Sequence, residues 1–148
     1  MAAPVEGVLV AQGLGSVFDR CLALRTRVFV DEQGVPVELE ADGLDAMCMH
    51  YLVVGPEGEP LCCARSRMVA DGCAKAERVA VRADLRGSGL GRMVMQVLEA
   101  VCKQQGAQAV VLGAQVTALP FYEKMGYAVI SDEFMDAGIP HRRMKKDL

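Results

Sequence analysis

The sequence predicts an α/β chain with one mixed, mostly antiparallel central sheet flanked by helices. Three observations carry this expectation. Short apolar runs of strand length alternate with segments of helical periodicity along the chain. Three such runs, Cys48 to Val54, Leu61 to Val69 and Ala76 to Arg82, follow one another across short turns, as an antiparallel meander does. A later run, Ala109 to Leu112, is apolar without alternation, as expected of a strand covered on both faces. At 148 residues the chain fits a single domain, residues 1–148. A chain of this length buries roughly two-thirds of its unfolded surface, enough to fold without a metal or a disulfide.

The elements follow in order. Val5 to Val10 reads as a first strand. Ser16-Val17-Phe18-Asp19 reads as a capping box, in which a hydroxyl and a carboxylate three residues apart meet free backbone donors. Behind it Phe18, Cys21, Leu22, Arg25 and Phe29 keep helical spacing, which predicts a helix to about Val30. Asp31 to Asp45 is acidic and turn-rich, with Gly34, Pro36 and Gly43. The meander comes next, its strands separated by Gly55 to Pro60 and by Asp71-Gly72. Leu90, Val94, Val97, Leu98 and Val101 trace one face of a helix that Gly106 ends. Thr117 to Met125 is a short helix with Pro120 in its first turn and Gly126 just past its end. Tyr127 to Ile130 returns as a strand, and Arg142 to Lys146 adds another.

Composition narrows the function. A net charge of −3 and a sequence pI near 5.4 argue against general binding to nucleic acid or a membrane surface. No apolar run approaches the ~20 residues that span a bilayer. Met1 to Val10 contains Glu6 and lacks the basic segment of a secretory signal. The six cysteines show no CxxC pair, so free thiols in the cytoplasm are the expectation. His50 and His141 have no partners at metal-ligand spacing, so no metal is expected. A homodimer stays open.

The most informative segment is Val79-Ala80-Val81-Arg82-Ala83-Asp84-Leu85-Arg86-Gly87-Ser88-Gly89-Leu90-Gly91-Arg92, where a strand runs into a glycine-rich turn that opens a helix. A helix start has unpaired N–H groups and partial positive charge, so it favours phosphate oxygens. Glycine lets the backbone approach closely and adopt positive φ. Arg86 and Arg92 add fixed charge at the same mouth. A Walker-type loop needs a Lys that is absent after Gly91, and a dinucleotide fingerprint needs a small residue where Arg92 stands. Arg-x-x-Gly-x-Gly, met by Arg86, Gly89 and Gly91, fits.

That loop resembles the signature of the GNAT superfamily of N-acetyltransferases. A second signature, a short helix bearing Phe-Tyr and ending in Gly-Tyr, is matched by Ala118 to Tyr127 with Phe121 and Tyr122. Arg27 to Val30, Glu32 to Pro36, Ala114-Gln115, Phe134 and Gly138-Ile139-Pro140-His141 resemble the ElaA/YjcF-like subgroup. The resemblance covers nearly the whole chain in collinear order. It implies a GNAT-type acyl-CoA N-acyltransferase fold, acetyl-CoA as co-substrate, and direct acetyl transfer to a primary amine, small or peptidic. It implies that Arg86, Gly87, Ser88, Gly89, Leu90, Gly91 and Arg92 hold the pyrophosphate, with Phe121 and Tyr122 beside the cofactor. The strand ending at Val81 would splay from that ending at Leu112. Backbone groups of Val79, Ala80 and Val81 would pair with the pantetheine arm, and the Val79 or Ala80 N–H would polarise the thioester carbonyl. Tyr122 would protonate the departing sulfur.

Aminolysis also calls for a base, because an amine with the pKa of Lys is protonated near pH 7. Period-two alternation puts Glu77 on the face of Val79 and Val81, and Glu77 resembles the base of several superfamily members. A solvated strand-end Glu is an equal reading. Arg65 and Arg67 share a strand face, either lining the acceptor groove or as exposed strand charges. Glu32, Glu38, Glu40, Asp42 and Asp45 form an acidic loop that would suit a cationic acceptor, although solvation is the commoner reason for such a loop. The basic tail Arg142, Arg143, Lys145, Lys146 reads as an edge strand, and Cys62 and Cys63 alternate across a strand, so one of the two is expected to be buried. Two other functions stand beside the enzyme: a coenzyme A-binding sensor, and, remotely, an acyl-homoserine-lactone synthase.

Overall fold

The first strand, β1 (Gly7–Gln12), leads through Gly13 to Gly15 into α1 (Ser16–Arg25). The expected capping box does not form. Gly15 caps α1, no side chain bonds its first turn, and the Asp19 N–H donates to the Gly15 carbonyl. Gly15 stands at positive φ (157), and the chain enters the helix through backbone rather than side-chain bonding. The helix continues past the expected end at Val30, but with a changed winding. Thr26–Glu32 is π-helical, and the Gln33 N–H donates to the Val28 carbonyl five residues back.

The rest alternates as the periodicities require: α2 (Val37–Glu40), β2 (Met49–Val54), β3 (Pro60–Ala70), β4 (Cys73–Val81), α3 (Leu90–Gln104), β5 (Ala109–Gln115), α4 (Leu119–Lys124), β6 (Ala128–Val129), β7 (Phe134–Asp136) and β8 (Ile139–Asp147). The computed structural model describes residues 5–148, and its strands form one sheet in the order β1-β2-β3-β4-β5-β8-β6, with β7 also paired to β8. Among the described strands, only β4 and β5 run parallel.

Helices cover both faces. Val94, Met95, Leu98 and Cys102 of α3 pack on Tyr51, Cys62, Ala64, Ala76, Val110 and Leu112. On the other face Cys21, Leu24 and Val28 pack on Leu52, Cys63 and Ala80. Cys62 and Cys63 are therefore both fully buried, because each side of the strand meets a helix. The basic tail is likewise not an edge. β8 lies between β5 and β6, and Lys146 pairs with Glu99 at 2.9 Å. The short strand β7 escaped the sequence reading; it folds onto β8 through Ala137 and Gly138, both at positive φ, as a two-residue hairpin turn demands.

Candidate active site

β4 and β5 pair only at Cys73–Ala109, Ala74–Val110 and Lys75–Val111, then run on unpaired to Val81 and Gln115. The expected splay is thus present. Arg78 explains part of it. Its φ is 55, and the register with β3 jumps from Arg65–Glu77 to Cys63–Ala80, so Arg78 and Val79 together oppose Ala64. This is a β-bulge, and its extra residue inverts the alternation of the strand. Ala74 and Ala76 face α3 before it, and Val79 and Val81 face α3 after it, whereas Ala80 turns to α1. Glu77 consequently lies on the α1 face, opposite Val79 and Val81. Unbroken alternation had put all three together; the bulge overturns that.

The same geometry decides which amides are free. The Arg82 N–H donates to the Leu61 carbonyl at 2.9 Å, so Val81 and Cys62 are a non-hydrogen-bonded pair. The N–H and C=O of Val81 therefore point into the gap, and alternation sends those of Val79 the same way. Ala80 directs its own toward β3.

The glycine loop closes one end of the gap. Gly87 and Gly89 have φ of 81 and 89, and a Cβ at either would meet no atom within 4 Å. They line an open cradle that L side chains would strain and fill. Gly89 caps α3 with no side-chain hydrogen bond, leaving the first-turn amides of Leu90, Gly91 and Arg92 for a ligand. The Ser88 hydroxyl donates to the Leu85 carbonyl and fixes the turn. A Cβ on Gly91 would come within 3.1 Å of the Phe121 ring, so glycine there lets α4 sit against the loop. Arg92 is exposed and makes no ion pair among the described residues. Arg86 donates to Glu32 at 2.7 Å and to the Val81 carbonyl at 3.3 Å.

These parts line a cleft of about 870 Å³ that passes through the sheet. The α3 side supplies Val79, Val81, the loop, Phe121 and Tyr122; the α1 side supplies Phe29, Leu39, Glu77, Arg78, Phe134 and His141. Tyr122 is buried, with edge-on contacts to Phe121 and Tyr127 at 4.9 and 5.7 Å. Its hydroxyl has no hydrogen-bond partner among the described residues. Burial pushes its pKa well above the ordinary phenol value, so it is held as an O–H donor. Two contacts bridge the mouth: the Arg86 guanidinium donates to Glu32, and the Gln115 amide donates to Gln33 Oε1 at 3.0 Å.

Glu32 and Glu38 of the acidic loop are exposed, but Glu40, Asp42 and Asp45 are not simply solvated. Arg25 bonds Glu40 and Asp45, and Arg65 bonds Asp42 and Asp45, with both guanidinium groups essentially inaccessible. Arg65 is thus neither an exposed strand charge nor free to line a groove. Arg78 pairs with Glu40 at 2.8 Å, and Glu77 with Arg67 at 2.8 Å and Arg65 at 3.5 Å. Burial alone would raise the Glu77 carboxyl, but the Arg67 hydrogen bond and the charges of Arg65 and Lys75 outweigh it and lower its pKa. With Glu40, Asp42 and Asp45 engaged by arginines, they offer a cationic acceptor little attraction. Sequence reasoning missed this cluster. Its one signal was Arg25, a charge inside an apolar helical stripe, which requires a buried partner.

A sheet splayed at a bulge, facing a glycine loop with bare amides, is the architecture of the acyl-CoA N-acyltransferases. The chain matches the acetyltransferase (GNAT) domain family over residues 27–148 and belongs to it. It is similar to the uncharacterized N-acetyltransferase YjcF of Bacillus subtilis, 45% identical over 125 residues, 84% of this chain and 88% of that protein. It is also similar to the crystal structure of Escherichia coli ElaA, at 26% identity and a TM-score of 0.85 over 97% of this chain and 99% of that one. An acyl-CoA N-acyltransferase from Pseudomonas aeruginosa superposes with a TM-score of 0.82 at 28% identity, over 95% and 98% of the two chains. The chain is therefore an acyltransferase of the ElaA/YjcF-like GNAT subgroup, a fold that uses acetyl-CoA as co-substrate. No cluster of three or more metal-ligating side chains occurs among the described residues, and no described helix is long and apolar enough to cross a membrane.

Proposed function

We propose that the chain, working as a single domain, transfers the acetyl group of acetyl-CoA directly to a primary amine. The observation that carries this reading is the unpartnered Tyr122 hydroxyl in a cleft that also holds bare helix-start amides and two strand edges. Acetyl-CoA supplies an activated thioester, so no covalent enzyme intermediate is needed. The residues from Arg86 to Arg92 hold the pyrophosphate through backbone N–H groups, and Arg92 adds charge. Strand β4 offers Val79 and Val81 to the pantetheine arm as a strand would, and the Val79 N–H supports charge developing on the thioester oxygen. Phe121 packs beside the arm. Tyr122 gives its proton to the leaving sulfur.

Turnover of acetyl-CoA with a panel of primary amines, read by thiol release, tests the proposal. Release above hydrolysis with at least one amine is the expected result. Tight coenzyme A binding without release would favour the sensor instead. Tyr122→Phe is expected to keep coenzyme A affinity and lower kcat about 100-fold, the usual size of one proton-transfer contribution. An unchanged kcat would remove the acid role.

A further inference from the structure

We infer that His141 is the base that takes the proton of the acceptor amine, a role that rests on the acetyl-transfer reading above. Its Nδ1 lies 2.6 Å from the Ile139 carbonyl oxygen. A carbonyl only accepts, so Nδ1 carries the hydrogen and Nε2 of the neutral ring carries the lone pair. Nε2 has no hydrogen-bond partner among the described residues, and His141 lines the cleft. Phe134 stacks on the ring with centroids 5.8 Å apart, fixing its plane. A ring oriented through one nitrogen, with the other free, is how a histidine base is built.

Strand register puts this nitrogen where an amine would approach. β4 and β5 part after Lys75–Val111, and Val79, Ala80 and Gln115 all line the cleft that opens beyond that point. His141 is the cross-strand partner of Gln115 in β8. Val110, Leu112 and Ala114 point into the α3-side core, so Gln115 and its partner His141 share the opposite face. Phe134 lies on that face too, 3.6 Å from where a Gly113 Cβ would sit. The base and Tyr122 thus flank the cleft from opposite sides of the sheet. Glu77 is the weaker candidate on that face, since Arg67, Arg65 and Lys75 all stabilise its ionised form.

The acceptor ammonium gives one proton to Nε2, which passes it to solvent. The freed lone pair forms the C–N bond, and the C–S bond breaks with its electron pair on sulfur. Tyr122 protonates that sulfur, and the surplus proton on the new amide nitrogen restores Tyr122. One proton is released per turnover.

The test uses His141→Ala, His141→Gln and the wild-type chain with alkylamines and anilines, whose conjugate acids span a wide pKa range. A missing base matters for an alkylammonium and little for an aniline, which is already neutral at pH 7. His141→Ala is expected to lose about 100-fold in kcat/KM with alkylamines and clearly less with anilines. Added imidazole should restore part of the loss. Calorimetric affinity for coenzyme A should stay that of the wild type in either variant. An equal loss with both amine classes, or no loss, overturns the assignment. Loss of coenzyme A affinity in both variants would also overturn it, since His141 would then be structural. Wild-type failure with every amine sinks the acetyl-transfer reading itself; wild-type turnover that both variants match sinks only the base.

Discussion

Gly89→Asp is expected to weaken coenzyme A binding at least about 100-fold, to the edge of detection by calorimetry. Two effects add. Gly89 holds φ at 89, a region where a side chain costs roughly 1–2 kcal/mol. The aspartate then sets negative charge at the helix start, where phosphate oxygens belong. Each 1.4 kcal/mol is tenfold in affinity, so about 3 kcal/mol suffices. Gly89→Ala separates the effects, because it keeps the strain and omits the charge; its loss should be roughly tenfold. Wild-type affinity in Gly89→Asp would disprove the loop assignment.

Arg65→Met should destabilise the fold by about 3–5 kcal/mol, measured by denaturant unfolding. Arg65 is wholly buried and holds Asp42, Asp45 and Glu77 at once. Removing it leaves three carboxylates beside an apolar side chain, and an uncompensated buried charge is expensive. At this chain length that corresponds to a fall in Tm of about 10 °C. A change under about 1 kcal/mol would show that the remaining arginines substitute for it.

The pH dependence of stability follows from the same cluster. Burial opposes ionisation of Asp42, but hydrogen bonds from Arg65 and Leu44 and the charges of Arg65 and Arg78 lower its pKa from 3.8 to about 2. Asp45 and Glu77 are lowered too. A folded-state pKa below the unfolded value stabilises above the unfolded value, so this contribution is complete above pH ~4 and lost as pH falls toward 2. Arg65→Met should flatten that acid limb.

Much of the donor half of the site was legible, because its chemistry is local. A strand, three glycines and a helix start within fourteen residues need no tertiary information to be read as an anion cradle. The acceptor half was not. Glu77 changed faces because Arg78 takes a left-handed conformation with no glycine to announce it. Arg65 and the acidic loop pair across 20 or more residues, and no periodicity reports such a contact. Gly138-Ile139-Pro140-His141 stood out as a motif, yet the place of its histidine on the cleft follows only from β8 lying inside the sheet rather than at its rim.

The wide winding from Thr26 to Glu32 makes the chain sensitive to its own residue count. Such a turn is an α-helix carrying surplus length, and deleting one residue would let ordinary i→i+4 bonding resume. Everything beyond would rotate by about 100° about the helix axis. Glu32 and Gln33 would swing away from Arg86 and Gln115. A protein shortened there would gain a more regular helix and lose both latches over the entrance to its cleft.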